Sequence, residues 1–568
     1  MIRQLDVDGV PALLAATSGP THAGLMFRVG QADETLARRG LTHLLEHLVL
    51  YPLGAADYHY NGTTGSVVTH FHLQGSASDI TTFLTGVCTS LRQLPVGRLA
   101  TEKAILATEW SNRTRAVTEQ LPLWHGARDY GLTSFPEWGL TAITADDLLQ
   151  WAARYFTREN AVLWMAGDEI PAGLRLDLPS RVRMPAPAAS SALPTTPAYF
   201  TGPSRSTAID AVVPRDVTAS VLSGVLEREL FRSLRQRDGL SYTAATHYEP
   251  RGDGAAVITA LADASPDTQD AVLGGFVDVL AKIRVGRIEE ADVAAVVGKA
   301  TEGLSSADVD GARLPSAAFN LLTGHPINSS DDLVRQLKEV TPQAVHETAT
   351  AALATSLLMT PRGRTADWAG FEAAPSGSSE TVTGTAHPGL GGAAGQRLII
   401  GPDGVSLASD RHDEVATVRY DQCVTMLAWP DGGRQLIGAD AVSVSLEPTI
   451  YRGATAQLVD AAVPAALRVD LPARDPQEIP QPATVGPPGP ATAGGGGVIA
   501  RFRRLRTSQQ AKIAGIGLVT VVVGGTALVV TIGMLTGAIG FRLLPAIGSW
   551  MIAGYLGRAL VKAWEEAN

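Results

Sequence analysis

His43-Leu44-Leu45-Glu46-His47, inside the helical run Thr42 to Leu50, decides how this chain is read. Residues i and i+4 share one face of a helix, so His43 and His47 can offer imidazole nitrogens to a single metal ion. Glu46 precedes His47 by one residue and lies near that face, placed to act on a water beside the ion. Two neutral imidazoles with an open position for water suit zinc, which lowers the pKa of water it binds. A tetrahedral site needs a third protein ligand, and a carboxylate is the usual partner of two histidines in hydrolases. Glu102 and Glu109 lie two turns apart on one face of a downstream helical run, Val96 to Ala116. Either can reach the ion, and the other can orient a ligand from behind.

Working outward, Val10 to Leu14 and Leu25 to Val29 read as strands around a turn at Ser18-Gly19-Pro20. Ser66 to Leu73 (SVVTHFHL) alternates like a half-buried strand, Asp79 to Leu91 has helical periodicity, and Tyr155 to Ala166 returns to strand. Met184 to Pro197, rich in Pro, Ala and Ser, reads as a linker between a first unit (1–190) and a second (198–372). The second unit repeats the order of the first, with a helix at Ser220 to Leu234, strands near Tyr242 to Tyr248 and Gly254 to Leu261, and a helix at Thr268 to Val285. A Gly/Ser/Thr-rich stretch, 373–396, reads as a flexible linker. A small β-rich module, 397–471, follows, its turns marked by Gly401-Pro402-Asp403-Gly404 and Pro430-Asp431-Gly432-Gly433.

Residues 472–512 form a Pro/Gly linker and basic stretch that leads to the tail. Ile513 to Gly540 carries no charge and is long enough to cross a bilayer; Arg542 interrupts it, and Leu543 to Leu556 is again apolar. Segment 513–558 is therefore expected to hold one span with an interfacial helix, or a hairpin of two short spans. Arg501, Arg503, Arg504, Arg506 and Lys512 precede it, and Arg558 and Lys562 follow. This bias keeps the large N-terminal region, and the 559–568 tail of the hairpin, cytoplasmic. Met1 to Ala15 lacks the apolar core of a signal peptide. With only Cys88 and Cys423 among 568 residues, no disulfide framework is expected. A net charge of −10 excludes a nucleic-acid-binding surface built from clustered basic residues.

The fuller pattern is more specific. Gly30-Gln31-Ala32-Asp33-Glu34 and Gly40-Leu41-Thr42, running into the H-x-x-E-H helix, resemble the approach to the active site of the pitrilysin/insulysin family, which includes mitochondrial processing peptidase. Asn61-Gly62-Thr63-Thr64 resembles that family's N-A-x-T segment, with Gly62 in place of alanine. Glu102 through Glu109 resembles its E-x(6)-E helix. Leu230 to Arg235, then Asp238-Gly239-Leu240-Ser241-Tyr242, is similar to its Arg…Tyr pair.

The resemblance covers about 370 residues and implies a zinc-dependent endopeptidase. It implies two tandem α+β domains, each an antiparallel sheet with helices on one side, to which this chain adds the all-β module and the membrane segment. It assigns His43, His47 and Glu109 as Zn2+ ligands, Glu102 as a supporting residue, and Glu46 as general base. Arg235 and Tyr242 would contact substrate and the developing oxyanion. Asn61 with an edge strand through Ser66, Val67, Val68 and Thr69 would hold a peptide or unfolded protein by strand addition. Short members complete the site across a dimer, so a homodimer is expected. A non-catalytic member serving as a membrane-associated scaffold or peptide-binding module is the alternative; such members lose zinc-site residues, and here all are present. The stretch between the zinc helix and Glu109 is shorter than in most members.

Overall fold

The computed structural model describes residues 1–54, 58–410 and 415–482. The first half begins with β1 (Arg3–Val7), β2 (Val10–Ala15) and β3 (His22–Phe27), followed by α1 (Leu41–Leu50). Then come β4 (His59–Thr64), β5 (Thr69–Gln74), α2 (Ala77–Arg92), α3 (Leu99–Asn112), α4 (Ala145–Tyr155) and β6 (Ala161–Ala166). Its sheet runs β1-β2-β6-β3-β5-β4. Thus β2 and β3, consecutive in sequence, do not pair: β6 lies between them, parallel to β2 and antiparallel to β3.

In the second half come β7 (Ala198–Thr201), β8 (Thr207–Pro214), α5 (Val217–Leu230), β9 (Ala244–Pro250), β10 (Ala255–Ala262), α6 (Gln269–Arg284) and α7 (Glu290–Leu304). There follow α8 (Val309–Ala312), α9 (Leu314–Leu322), α10 (Ser330–Lys338), α11 (Pro342–Ala354), β11 (Leu357–Thr360) and β12 (Glu372–Ala373). The sheet order β12-β7-β11-β8-β10-β9 repeats the first, strand for strand, once an edge strand is set aside in each. The hand of pairing repeats too: β7 and β11 are parallel, β8 and β11 antiparallel. The duplication expected from the order of elements is a duplication of topology.

Each sheet packs its helices on one face. Phe27, Leu44, Leu45, Leu48, Phe71, Phe83 and Phe156 belong to the first core, and Leu222, Leu226, Ile258, Phe276 and Val345 to the second. Outer faces are covered reciprocally. From the second half, α9 lays Leu314, Ala317, Ala318 and Leu322 on Leu13, Ala15, Met26, Val162 and Trp164 of the first sheet. From the first half, the turn Leu121–His125 packs Leu121 and Trp124 on Ala198, Ala208, Leu357 and Met359 of the second. The 184–197 linker has no regular element until its end. It is nonetheless pinned, with Met184 and Pro187 carbonyls accepting from Arg28 Nε (3.1 Å) and Tyr130 Oη (3.2 Å).

Four expectations are corrected. The sheets are mixed rather than antiparallel, since β2 pairs parallel with β6 and β7 pairs parallel with β11. Ser66, Val67 and Val68 are not strand: they form the β4–β5 turn, and β5 starts at Thr69. Nor is β5 an edge, because it lies between β3 and β4; the edge strand is β4, which carries Asn61. Val67 is buried, and Thr69 Oγ1 donates to Val29 O at 2.9 Å, so both serve the fold. The 373–396 stretch is not a free linker either, since β13 (Thr385–Pro388) pairs with β14 (Gln396–Ile400). Its glycines and prolines mask a strand that composition alone does not separate from a tether. With β15 (Gly404–Ser409) and β16 (Val415–Arg419) these make one four-stranded sheet. A second, ordered β19-β18-β17-β20, comprises β17 (Cys423–Ala428), β18 (Arg434–Gly438), β19 (Ser443–Leu446) and β20 (Arg468–Asp470). The two sheets share a core of Leu398, Val405, Met426, Leu436, Val444 and Leu446. Cys88 and Cys423 are buried free thiols. Among the described residues no helix is long and apolar enough to cross a membrane; segment 513–558 lies outside them.

Candidate metal centre

Glu34 starts the H-x-x-E-H helix. Its carboxylate accepts the backbone N–H of Thr42 (2.7 Å) and of Gly40 (3.0 Å), capping donors that a helix N-terminus leaves unsatisfied. Arg39 Nη1, 3.2 Å away, balances that buried charge. Leu44, Leu45 and Leu48 anchor the apolar face of α1 in the core, which turns His43 and His47 to the other side, their ring centroids 5.0 Å apart. Opposite stands α3 with Glu102 and Glu109. Candidate ligand atoms of His43, His47 and Glu109 all lie within 4.8 Å of one another. His47 Nε2 is 3.8 Å from Glu109 Oε2, while its Nδ1 is 3.5 Å from Glu102 Oε2.

Behind His43 stands a residue that the sequence reading missed. Glu137 Oε1 lies 3.1 Å from His43 Nδ1 and 3.7 Å from Arg39 Nη1. Both imidazoles therefore have a carboxylate near Nδ1, which favours the Nδ1–H tautomer of the neutral ring and would keep each Nε2 lone pair free. Burial opposes the protonation of His43, but Glu137, Glu46 and Glu109 outweigh it and hold its pKa above the ordinary value. Burial acts against the Glu137 carboxylate as well; the His43 bond and Arg39 outweigh it and hold Glu137 low. No spacing rule ties Glu137 to the motif, for it sits between turns in a Trp/Gly-rich loop far along the chain.

Glu46 is buried, and burial raises its pKa against the opposing pull of His43 and the hydrogen bond from Thr64 Oγ1 at 2.8 Å. A carboxylate raised toward neutrality is a better proton acceptor at working pH. Gly62 on β4 makes the room: a Cβ there would lie 2.5 Å from Glu46 Oε1 and 2.8 Å from its Cγ. A cleft of about 280 Å³ opens over His43 and Glu109, walled by Gln31, Thr64, Leu106, Trp110, Arg113 and Glu137.

Donor chemistry fits a divalent cation: two imidazoles and one carboxylate converge, with Glu46 alongside and carboxylates on both Nδ1 atoms. The remaining expected residues lie apart. Asn61 is on the edge strand, exposed, in register with His72 of β5. Arg235, in the π-helical turn Phe231–Arg237, stacks over the Tyr242 ring at 5.0 Å; the two are a pair, but neither lines the metal cleft. Tyr242 is 71% exposed.

No protein-family model and no curated protein sequence matches the chain. Solved structures do. A protease from Helicobacter pylori aligns with a TM-score of 0.55 at 14% identity, covering 64% of this chain and 99% of its own. A putative M16-like peptidase from Alicyclobacillus acidocaldarius gives 0.51 at 15%, covering 64% and 98%. A peptidase M16 inactive domain from Pseudomonas fluorescens gives 0.51 at 14%, again covering 64% and 98%. At such identities the likeness establishes architecture: the chain has the two-half α+β fold of pitrilysin-like M16 peptidase domains, a fold that inactive members share.

Proposed function

We propose that this chain is a zinc-dependent endopeptidase acting on peptides or unfolded segments. The observation that carries the reading is the convergence of His43, His47 and Glu109 at a cleft that His43 and Glu109 line, with the buried Glu46 close behind. His43, His47 and Glu109 would hold the zinc, which when bound would supply Lewis acidity toward a peptide carbonyl and water. Glu46 takes the proton of the attacking water and later returns it to the leaving amine. Thr64 fixes the Glu46 carboxylate. Glu137 and Glu102 hold the two imidazoles in one tautomer. The end strand β4, which has a neighbour on one side only among the described residues, receives the peptide as an added strand beside Asn61. This recognition reads backbone, which suits extended substrates.

Arg235 and Tyr242 are the proposed donors to the oxyanion. Because they stand away from the cleft of their own chain and Tyr242 is exposed, we assign them to the cleft of a second copy, in a homodimer. The 513–558 segment is the proposed membrane anchor, with the peptidase halves cytoplasmic. Protease protection in right-side-out vesicles tests the orientation, and digestion of the halves from outside would reverse it.

The deciding experiment compares Glu46→Gln with wild type for zinc content and cleavage of a quenched peptide. Full zinc with cleavage reduced roughly 10²- to 10⁴-fold is expected for loss of a general base. Normal cleavage by this variant would refute the mechanism.

A further inference from the structure

Segment 113–144 carries Glu137, yet it contains no strand and only short 3₁₀ turns: Leu121–His125, Asp129–Ser134 and Trp138–Thr141. Loops so built open easily unless something packs on them. Here it is the second sheet of the all-β module. One face of that sheet belongs to the module's core, through Met426, Leu436 and Val444. Its other face is buried as well. Ile437 packs with Leu36, Ala127, Leu132 and Phe135, while Leu427 and Val469 pack with Ala37 and Trp138. A strand buried on both faces loses its polar alternation, as Cys423–Ala428 does.

Backbones meet at the same place. Ala127 N donates to Ala439 O at 3.0 Å. Neighbouring Gly126 has φ +81°, and a Cβ on it would lie 2.2 Å from Ala439 O, so only glycine permits the approach. The module thus presses on two turns at once. One, Leu36–Arg38, leads through Arg39 to the start of α1; the other, Trp138–Thr141, directly follows Glu137. Arg39 ties the two together, donating from Nε to Leu132 O at 2.9 Å while its Nη1 faces Glu34 and Glu137.

We infer that the all-β module is a positioning part of the metal centre: through Ile437, Leu427 and Val469 it clamps the 126–141 loop and so keeps Glu137 on His43 Nδ1. The inference rests on the metal reading of His43, His47 and Glu109. It gives the module a task inside the peptidase unit.

The test uses the full chain and measures zinc affinity by chelator competition in Ile437→Asp, Leu427→Ala and Glu137→Ala. Each is expected to bind zinc about 10- to 100-fold more weakly, the usual cost of losing the partner behind a metal-bound histidine. Ile437→Val keeps the contact and should bind nearly as wild type. Combining Ile437→Asp with Glu137→Ala should weaken binding no further than Glu137→Ala alone, because both act through one contact. Wild-type affinity in folded Leu427→Ala, or losses that multiply in the double variant, would overturn the inference. Amide exchange of residues 127–141 in metal-free protein reads the clamp without zinc. Faster exchange in Leu427→Ala supports it, and unchanged exchange defeats it. Should wild type bind no zinc at all, the peptidase reading falls, and the exchange comparison still decides whether the module holds the loop.

Discussion

The two halves share one strand order, and each packs a helix after its second core strand against another two helices later: α1 against α3, α5 against α7. What differs is how the charges between them are settled. Between α5 and α7, Arg228 and Arg232, also four residues apart, meet Asp292 at 3.1 and 2.5 Å. Lys282 meets Glu229 at 2.8 Å. Both carboxylates of that network have a cation at hand. In the first half, Glu102 has Arg98 at 3.3 Å and Glu137 has Arg39, but Glu46 and Glu109 have no lysine or arginine within ion-pair distance among the described residues. Carboxylates face histidines in one copy and arginines or lysine in the other. A duplicated frame does not duplicate chemistry; the zinc site we propose lies in the copy that lacks the arginine pairs.

The sharpest way to break this comparison is to remove ligands from one copy and ion pairs from the other. His47→Ala or Glu109→Ala should cost zinc affinity on the order of 10³-fold or more, since each loss removes a direct ligand. Arg228→Ala with Arg232→Ala should leave zinc content unchanged, and zinc lost from that double variant would show that the halves are not chemically independent. Next in size is complementation. Mixing Glu46→Gln chains with Tyr242→Phe chains should restore about a quarter to a half of the sites if one cleft draws on both copies of a dimer. No recovery, with chain exchange shown by gel filtration, places the site within one chain.

Stability effects are smaller. The double arginine variant leaves the buried Asp292 without its two half-exposed arginines and should cost about 1 to 2 kcal/mol in denaturant titration. A loss near zero would mean that Lys282 or water replaces the pair.

A last contrast, read as a pH slope, concerns the outer faces of the sheets. His70 is held to a pKa of about 3 by burial, its Nε2 accepting from Trp164 Nε1 at 2.9 Å. Asp210, beside Thr259, is pushed up to about 7 by burial. The signs are opposite. A depressed histidine costs stability as pH falls from about 6.5 toward 3; a raised aspartate costs stability as pH rises from about 4 toward 7. In between, each tilts stability by up to about 1.4 kcal/mol per pH unit, and the tilts oppose each other. Thermal melts of His70→Gln should therefore fall more steeply with rising pH than wild type, and those of Asp210→Asn should rise. Parallel profiles would show that neither group titrates as placed.

Much of this was legible in the sequence, for local reasons. The H-x-x-E-H helix declares itself because its ligands sit four apart on one face, and the E-x(6)-E helix repeats that logic. The strand at Thr69 to Leu73 was visible from its alternation, but Val67 and Val68 extended the apolar pattern backwards into a turn. That moved the assigned edge from β4 to β5, because alternation says which residues share a face and nothing of which strand lies outermost. Glu137 was invisible, since a lone glutamate gains meaning only once the loop is folded over Arg39. The module's grip on that loop was hidden for the same reason, as Ile437 and Phe135 meet across a long stretch of chain.

The reciprocal cover of the two sheets has a consequence for the nascent chain. On the ribosome, β6 emerges long before α9, so Leu13, Met26, Val162 and Trp164 wait uncovered. At roughly 5–20 residues per second the interval from Ala166 to Leu314 lasts on the order of ten seconds. Through that window the first half carries a sticky apolar sheet face that only the second half can close. Synthesis of the chain, more than its finished state, is then where a chaperone would be needed, and a message truncated after the first half would yield an aggregate rather than a small folded domain.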